Sequence, residues 1–311
     1  NSIASQLTTV EKTLLLTDAE DKTTDLPGLV GEYENLLAAA SSSYAFADFD
    51  ENSVATTFYT TGTTGNPKGV YFTHRQLVLH TLAAAATVGS LDSIRLMGTD
   101  DVYMPITPMF HVHAWGLPYV ATMLGVKQVY PGRYDPELLV DLWKREKVTF
   151  SHCVPTILQM ILNAKGAAGV DFGGWKLIIG GSALNRSLYE ASKARGIQLT
   201  AAYGMSETCP LISCAHINEE LLAGSEDERT TYRIKAGVPV QQTKRAKHEQ
   251  KHLKGRSRIV TKKTEFGEDF LHCVVSGCLQ LFVQAIELMQ SRAVERNSIF
   301  FWFEYKNVMK S

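Results

Sequence analysis

No run of about 18 apolar residues occurs in this chain, so no membrane-spanning helix is expected. The nearest approach, Cys273 to Met289, is interrupted by Gln280, Gln284 and Glu287 and has amphipathic spacing. The first residues lack a basic stretch followed by an apolar one, so no secretory leader is expected. An excess of charge of one sign is missing too. The formal net charge of −1 argues against nucleic-acid binding by the whole surface. Cys-x-x-Cys spacing is absent. The five cysteines (Cys153, Cys209, Cys214, Cys273, Cys278) are odd in number and scattered, which suits free thiols in a reducing, cytoplasmic setting. The pairs Cys209/Cys214 and Cys273/Cys278 are weak zinc candidates at that spacing. Gly-x-Ser-x-Gly is absent as well: Leu184 stands where Gly180-Gly181-Ser182-Ala183 would need its last glycine.

What is present begins with Phe58-Tyr59-Thr60-Thr61-Gly62-Thr63-Thr64-Gly65-Asn66-Pro67-Lys68-Gly69-Val70. This stretch puts four threonine hydroxyls, three glycines and one lysine into a turn-prone loop. Glycines let backbone N–H groups approach an anion. Threonine hydroxyls donate to phosphate oxygens or bind Mg²⁺, and a lysine adds positive charge. A polyphosphate is the ligand such a loop fits, although threonine- and glycine-rich loops also occur as plain surface turns. The ordinary P-loop is disfavoured: Gly62 and Gly65 are too close, and Lys68 is followed by Gly69.

Along the chain, Thr8–Asp18 reads as a short strand region and Leu29–Ala40 as a helix. Ala55–Thr60 reads as a strand entering the loop, with a helical pattern over Gln76–Val88. Asp101–Ile106 is a strand candidate and Trp115–Leu124 has helical length. A rhythm of strands and helices follows: Gln128–Tyr130, Pro136–Glu146, Thr149–Cys153, Pro155–Asn163, Leu177–Ile179, Asn185–Arg195 and Ile197–Thr200. That alternation predicts an α/β fold, a mainly parallel sheet with helices on both faces. Near Val240 the character changes. Gln241–Lys263 holds nine Lys/Arg, two His and one acidic residue, a basic and solvated segment. Aromatics are not interleaved with these charges, so nucleic-acid binding there is disfavoured. The sequence divides into 1–240 and an unassigned basic and amphipathic tail, 241–311.

Three more stretches bear on chemistry: Pro105 to Gly116 (Pro-Ile-Thr-Pro-Met-Phe-His-Val-His-Ala-Trp-Gly), Ile179-Gly180-Gly181-Ser182-Ala183, and Ala202-Tyr203-Gly204-Met205-Ser206-Glu207-Thr208. Each alone is weak. Together with the Thr/Gly loop, and in this order, they resemble the adenylate-forming enzymes, most of all the medium- to long-chain fatty-acyl-CoA synthetases, over Leu14 to Val240. The resemblance implies the core of that family's N-terminal domain and ATP-dependent conversion of a fatty acid, through an acyl-adenylate, to its acyl-CoA. ATP, Mg²⁺ and coenzyme A are the implied cofactors and co-substrate. Thr60 and Glu207 would bind Mg²⁺, and Thr61, Gly62, Thr63, Thr64, Gly65 and Lys68 would enclose the β- and γ-phosphates. Gly181, Ala201, Ala202, Tyr203 and Ser206 would line the adenosine and α-phosphate site, with Val112 beside it and Tyr203 on adenine. Trp115 would gate the acyl tunnel; on spacing alone it is equally a packing residue, and His111 and His113 equally core histidines. A ligase for a short, functionalised carboxylate is the alternative, and a homodimer is compatible with the resemblance.

The resemblance also has gaps. No Thr-Gly-Asp occurs, and no small C-terminal domain with an adenylation lysine follows the region like Lys235–Pro239. The expectation is a partial adenylation domain, shortened at both ends, with a nucleotide cradle but impaired adenylation and weaker thioester formation.

Overall fold

The computed structural model describes residues 9–17, 27–60, 68–90, 95–132 and 134–240. The described residues up to Asp50 belong to one compact unit and those from Glu51 to another. In the first unit β1 (Thr13–Leu15) pairs in parallel with β2 (Leu29–Glu32), and α1 (Tyr33–Ala39) follows. Glu32 caps α1 through its carboxylate, which accepts from Asn35 N–H. The helix expected from Leu29 therefore starts four residues later, because Leu29, Val30 and Gly31 extend against β1.

The second unit opens with an antiparallel hairpin, β3 (Val54–Thr60) and β4 (Lys68–Thr73). A strand, not a helix, thus leaves the Thr/Gly loop, and α2 (His74–Ser90) comes after it. Then β5 (Val102–Pro105), α3 (Val112–Trp115), α4 (Leu117–Met123), β6 (Lys127–Gln128), α5 (Pro136–Glu146), β7 (Phe150–Cys153), α6 (Pro155–Leu162), β8 (Lys176–Ile179), α7 (Arg186–Lys193) and β9 (Gln198–Gly204) alternate. The last elements are β10 (Leu211–Cys214), α8 (Glu219–Ala223), α9 (Glu226–Arg233) and β11 (Val238–Pro239). α5 spans the interval the sequence predicts, since Asp135 accepts from the N–H groups of Glu137 and Leu138 and Pro136 suits the first turn.

The sheet runs β11-β10-β9-β8-β7-β5-β6. β6, β5, β7, β8 and β9 are parallel, and β10 runs antiparallel to both of its neighbours, β9 and β11. Helices cover both faces, as the alternation predicts. Leu177 and Ile179 of β8 pack with α5, α6 and α7 residues such as Leu139, Leu158 and Leu188. Ile178, between them, packs with Ala84 and Val88 of α2 and Val120 of α4. Among the described residues no helix is long and apolar enough to cross a membrane.

The chain goes from β5 to β6 on one side and then returns to β7 on the other side of β5. Such a reversal opens a crevice at the carboxyl ends of the strands, where open α/β sheets take their ligands.

Candidate functional site

Three of the four motif stretches stand at that carboxyl edge. Pro105 to Gly116 leaves the end of β5, Gly180-Gly181 leaves β8, and Tyr203 to Thr208 forms the end of β9 and the turn after it. They lie far apart in the chain and come together because the strands are parallel and in register: Pro105 pairs with His152, Cys153 with Ile179, and Ile179 with Ala201.

The turn after β5 is the most unusual element. Val112, His113, Ala114 and Trp115 all have positive φ, between 48° and 61°. Left-handed backbone costs an L-residue roughly 1–2 kcal/mol, so consecutive residues hold it only when their surroundings fix them. The surroundings do so here. Val112 and Ala114 are buried. His113 Nε2 is 2.7 Å from the hydroxyl of Thr56 on β3, and its ring meets Phe58 edge-on. The indole of Trp115 lies 5.0 Å, centroid to centroid, from the ring of His152. The helix expected over Trp115–Leu124 therefore begins only at Leu117, with Gly116 at φ 71° as the break.

Trp115 also lies against the glycine turn after β8. A Cβ on Gly180 would stand 3.2 Å from the indole and 3.3 Å from the Ala202 carbonyl oxygen. One on Gly181, at φ +79°, would meet Val154 Cγ1 at 2.9 Å. Glycine is thus required at Gly181 and closely packed at Gly180, and a side-chain-free surface results. Beside it Ala201 is buried, and Tyr203 is 49% exposed with its ring available for stacking. The turn Ser206–Thr208 is fixed by Met205 N–H donating to the Thr208 hydroxyl at 3.2 Å and to Pro210 O at 3.1 Å. It holds Glu207 exposed and Ser206 half-buried.

At the hairpin, Thr60 and Lys68 are register partners, so the strand ends put a hydroxyl and an ammonium at the mouth of the intervening loop. Thr61, Gly62, Thr63, Thr64 and Gly65 lie outside the described residues. The Thr56–His113 bond ties this hairpin to the turn after β5. His80 ties α2 to the start of β10: its Nε2 accepts from Leu211 N–H at 3.2 Å.

The histidines here are held neutral. Burial pushes His80 down to about 4, with His113 adding to it, and pushes His113 to about 4 and His152 to about 3. His111, by contrast, is exposed. Four site residues escaped the reading of the sequence: Thr56, His80, Tyr103 and His152. Only His152 left a trace, as a polar residue in the middle of a short β-prone run. The surface depressions between α5 and α6 and between α7 and α9 contain none of the motif residues.

The AMP-binding enzyme family matches residues 2–253. The chain belongs to that family. Among curated proteins, the long-chain-fatty-acid–CoA ligase of Thermus thermophilus is 42% identical over 184 residues, 58% of this chain and 33% of that protein. The medium-chain-fatty-acid–CoA ligase of Ectopseudomonas oleovorans is 36% identical over 217 residues, 69% of this chain and 39% of that protein. The chain thus spans between a third and two fifths of the length of these relatives. Among solved structures, the N-terminal domain of FACL13 from Mycobacterium tuberculosis aligns with a TM-score of 0.57 and 23% identity, over 70% of this chain and 53% of that one. This family's N-terminal-domain fold is the one described above.

Proposed function

We propose that the chain carries the nucleotide cradle of an acid–CoA ligase that forms AMP and acts on a fatty acid. The observation that supports this reading most is the convergence of three motif segments on the carboxyl ends of β5, β8 and β9. The residues fit a nucleotide. Gly180 and Gly181 leave a surface with no side chain, Tyr203 offers an exposed ring, and Thr60 and Lys68 stand together. Thr60 and Glu207 supply hard oxygen donors for Mg²⁺, which when bound would neutralise phosphate charge.

In this reading a carboxylate oxygen of the acid attacks the α-phosphorus of ATP. The α–β P–O bond breaks and pyrophosphate leaves. The CoA thiolate then attacks the acyl carbon, and AMP leaves with the bonding electrons. The barrier to the first step is mostly charge crowding and alignment. Lys68 and the hydroxyls of Thr60 to Thr64 would screen the β- and γ-phosphates. Gly181, Ala201, Ala202 and Ser206 would hold adenosine and the α-phosphate, with Tyr203 on adenine and Val112 alongside. Trp115 would gate the acyl chain. In this reading residues 1–240 would form the partial adenylation domain, and 241–311 carry no assignment.

ATP–pyrophosphate exchange with octanoate and with palmitate tests the proposal. Exchange dependent on either acid, and lost in Thr60→Ala and Glu207→Gln, is the expected result. Saturable Mg·ATP binding with no exchange under any acid would reduce the chain to a nucleotide-binding unit.

A further inference from the structure

The buried histidines at the carboxyl edge are partnered in different ways. His152 pairs with the Tyr103 hydroxyl at 2.7 Å, and His113 with the Thr56 hydroxyl at 2.7 Å, side chain to side chain. His80 instead accepts a backbone proton, from Leu211 N–H. That N–H belongs to the Pro210–Leu211 peptide unit. The carbonyl of the same unit accepts from Met205 N–H at 3.1 Å and from the Thr208 hydroxyl. The short turn that carries Glu207 is therefore closed onto one peptide unit, and His80 fastens that unit to α2.

The imidazole is 4% exposed. An Nε2 that accepts leaves the ring's proton on Nδ1, and burial keeps the ring neutral by pushing it down to about 4. The ring is also wedged in place. A Cβ on Gly116 would stand 3.2 Å from both Cε1 and Nδ1 of His80 and 3.5 Å from the Cys209 carbonyl oxygen. Gly116 and Cys209 are both left-handed, at φ 71° and 72°, so the turn after β5 and the turn after β9 bend where they meet beside this ring. In the other direction the connection reaches the phosphate end of the cradle. β4 begins at Lys68, the register partner of Thr60, and passes directly into α2, which carries His80. Thr60 and Lys68 are thus linked to Glu207 through one strand, one helix and the His80–Leu211 hydrogen bond.

We propose that His80 is a positioning residue of the nucleotide site: through Leu211 N–H it sets where Glu207 stands relative to Thr60 and Lys68, and so governs the gain in nucleotide affinity that Mg²⁺ supplies. Mg²⁺ demands near-ideal geometry of its oxygen ligands, so a small shift of the Glu207 turn is felt at the metal. His80 itself touches neither nucleotide nor metal. Gly181, Ala201 and Tyr203 belong to β8, β9 and the turn between them, whose pairing His80 does not enter. The adenosine end of the cradle is therefore independent of it. This inference rests on the nucleotide-cradle reading above and adds to it a residue that lies in none of the four motifs.

The test is calorimetric titration of AMP and of Mg·ATP into the parent chain, His80→Leu and His80→Gln. Leucine keeps much of the ring's bulk and removes the acceptor; the glutamine amide oxygen can stand near the place of Nε2 and accept in its stead. His80→Leu should weaken Mg·ATP at least about tenfold, the scale on which misplaced site groups act. It should leave AMP within about twofold, as expected of independent sites. His80→Gln should recover most of the Mg·ATP affinity. In parent protein labelled with ¹⁵N-histidine, the His80 Nε2 resonance should move when Mg²⁺ is added to the ATP-saturated chain and hold still when Mg²⁺ is added with AMP. That measurement decides the matter if His80→Leu does not fold. Parent-like Mg·ATP affinity in His80→Leu, equal weakening of AMP and Mg·ATP, or an Nε2 resonance indifferent to Mg²⁺ overturns the inference and leaves the nucleotide cradle intact. No Mg·ATP site in the parent chain overturns both.

Discussion

The two ends of the parallel sheet are built on opposite plans. At the amino ends of the strands, buried charge is fully matched. Asp101, ahead of β5, accepts from Gly98 N–H at 2.7 Å, from the Thr149 hydroxyl at 2.6 Å and from Lys176 Nζ at 2.7 Å. Three strands are tied together there by one carboxylate. Nearby, Trp175 Nε1 donates to Ser151 Oγ at 3.1 Å, inside an aromatic cluster with Trp143 and Phe172. Among the described residues, Trp143 Nε1 is that cluster's buried group without a partner. At the carboxyl ends the backbone turns left-handed for four residues, glycines replace side chains, donors are unmatched, and Tyr203 and Glu207 face solvent. One end spends its polar groups on cohesion and the other leaves them open to a ligand. Sequences under selection depart from local consistency where function requires it.

That contrast can be broken by mutation. The largest effect on stability is expected at the amino end. Asp101→Ala leaves the Lys176 ammonium, 13% exposed, without its carboxylate, and should cost about 3–5 kcal/mol in denaturant unfolding. A loss under about 1 kcal/mol would mean that the pair is not what joins these strands.

Acid should act next, and through the other end. His80, His113 and His152 are held well below the ordinary histidine value of 6.5 by burial. Below that value the unfolded chain takes up protons that the folded chain refuses. Stability is therefore complete above about pH 6.5 and falls as pH drops toward about 4, by up to about 1.4 kcal/mol per pH unit for each histidine. Unfolding followed at several pH values should show this slope, and His152→Leu should flatten it by about one proton.

Gly181→Ala is expected to cost only about 1–2 kcal/mol of stability, from left-handed backbone and the approach to Val154, yet to weaken Mg·ATP binding at least about tenfold. Equal affinity in this variant would remove the glycine turn from the nucleotide cradle. The smallest change in the fold is expected for Thr60→Ala, within about 0.5 kcal/mol, since Thr60 ends an edge hairpin.

The sequence carried more of the scaffold than of the site's interior. Strand–helix alternation predicts the sheet, and the Asp135-Pro136 start places α5 because capping is a local signal. Leu29–Glu32 is misread because its strand exists by pairing with β1, a contact that local propensity does not encode. The four motifs read as a family signature, yet what joins them is non-local. Tyr103 and His152 are 49 residues apart, Thr56 and His113 are 57, and His80 reaches Leu211 across 131. A left-handed turn at Val-His-Ala-Trp is opposed to the preferences of all four residues.

Titration of Mg·ATP into the chain and into Thr60→Ala/Glu207→Gln tests the central claim, that the carboxyl edge and the hairpin together hold magnesium-bound nucleotide, most directly. The account predicts one saturable site in the parent chain and none in the double variant, with both equally folded. The same affinity in both, or no site in the parent, would contradict it.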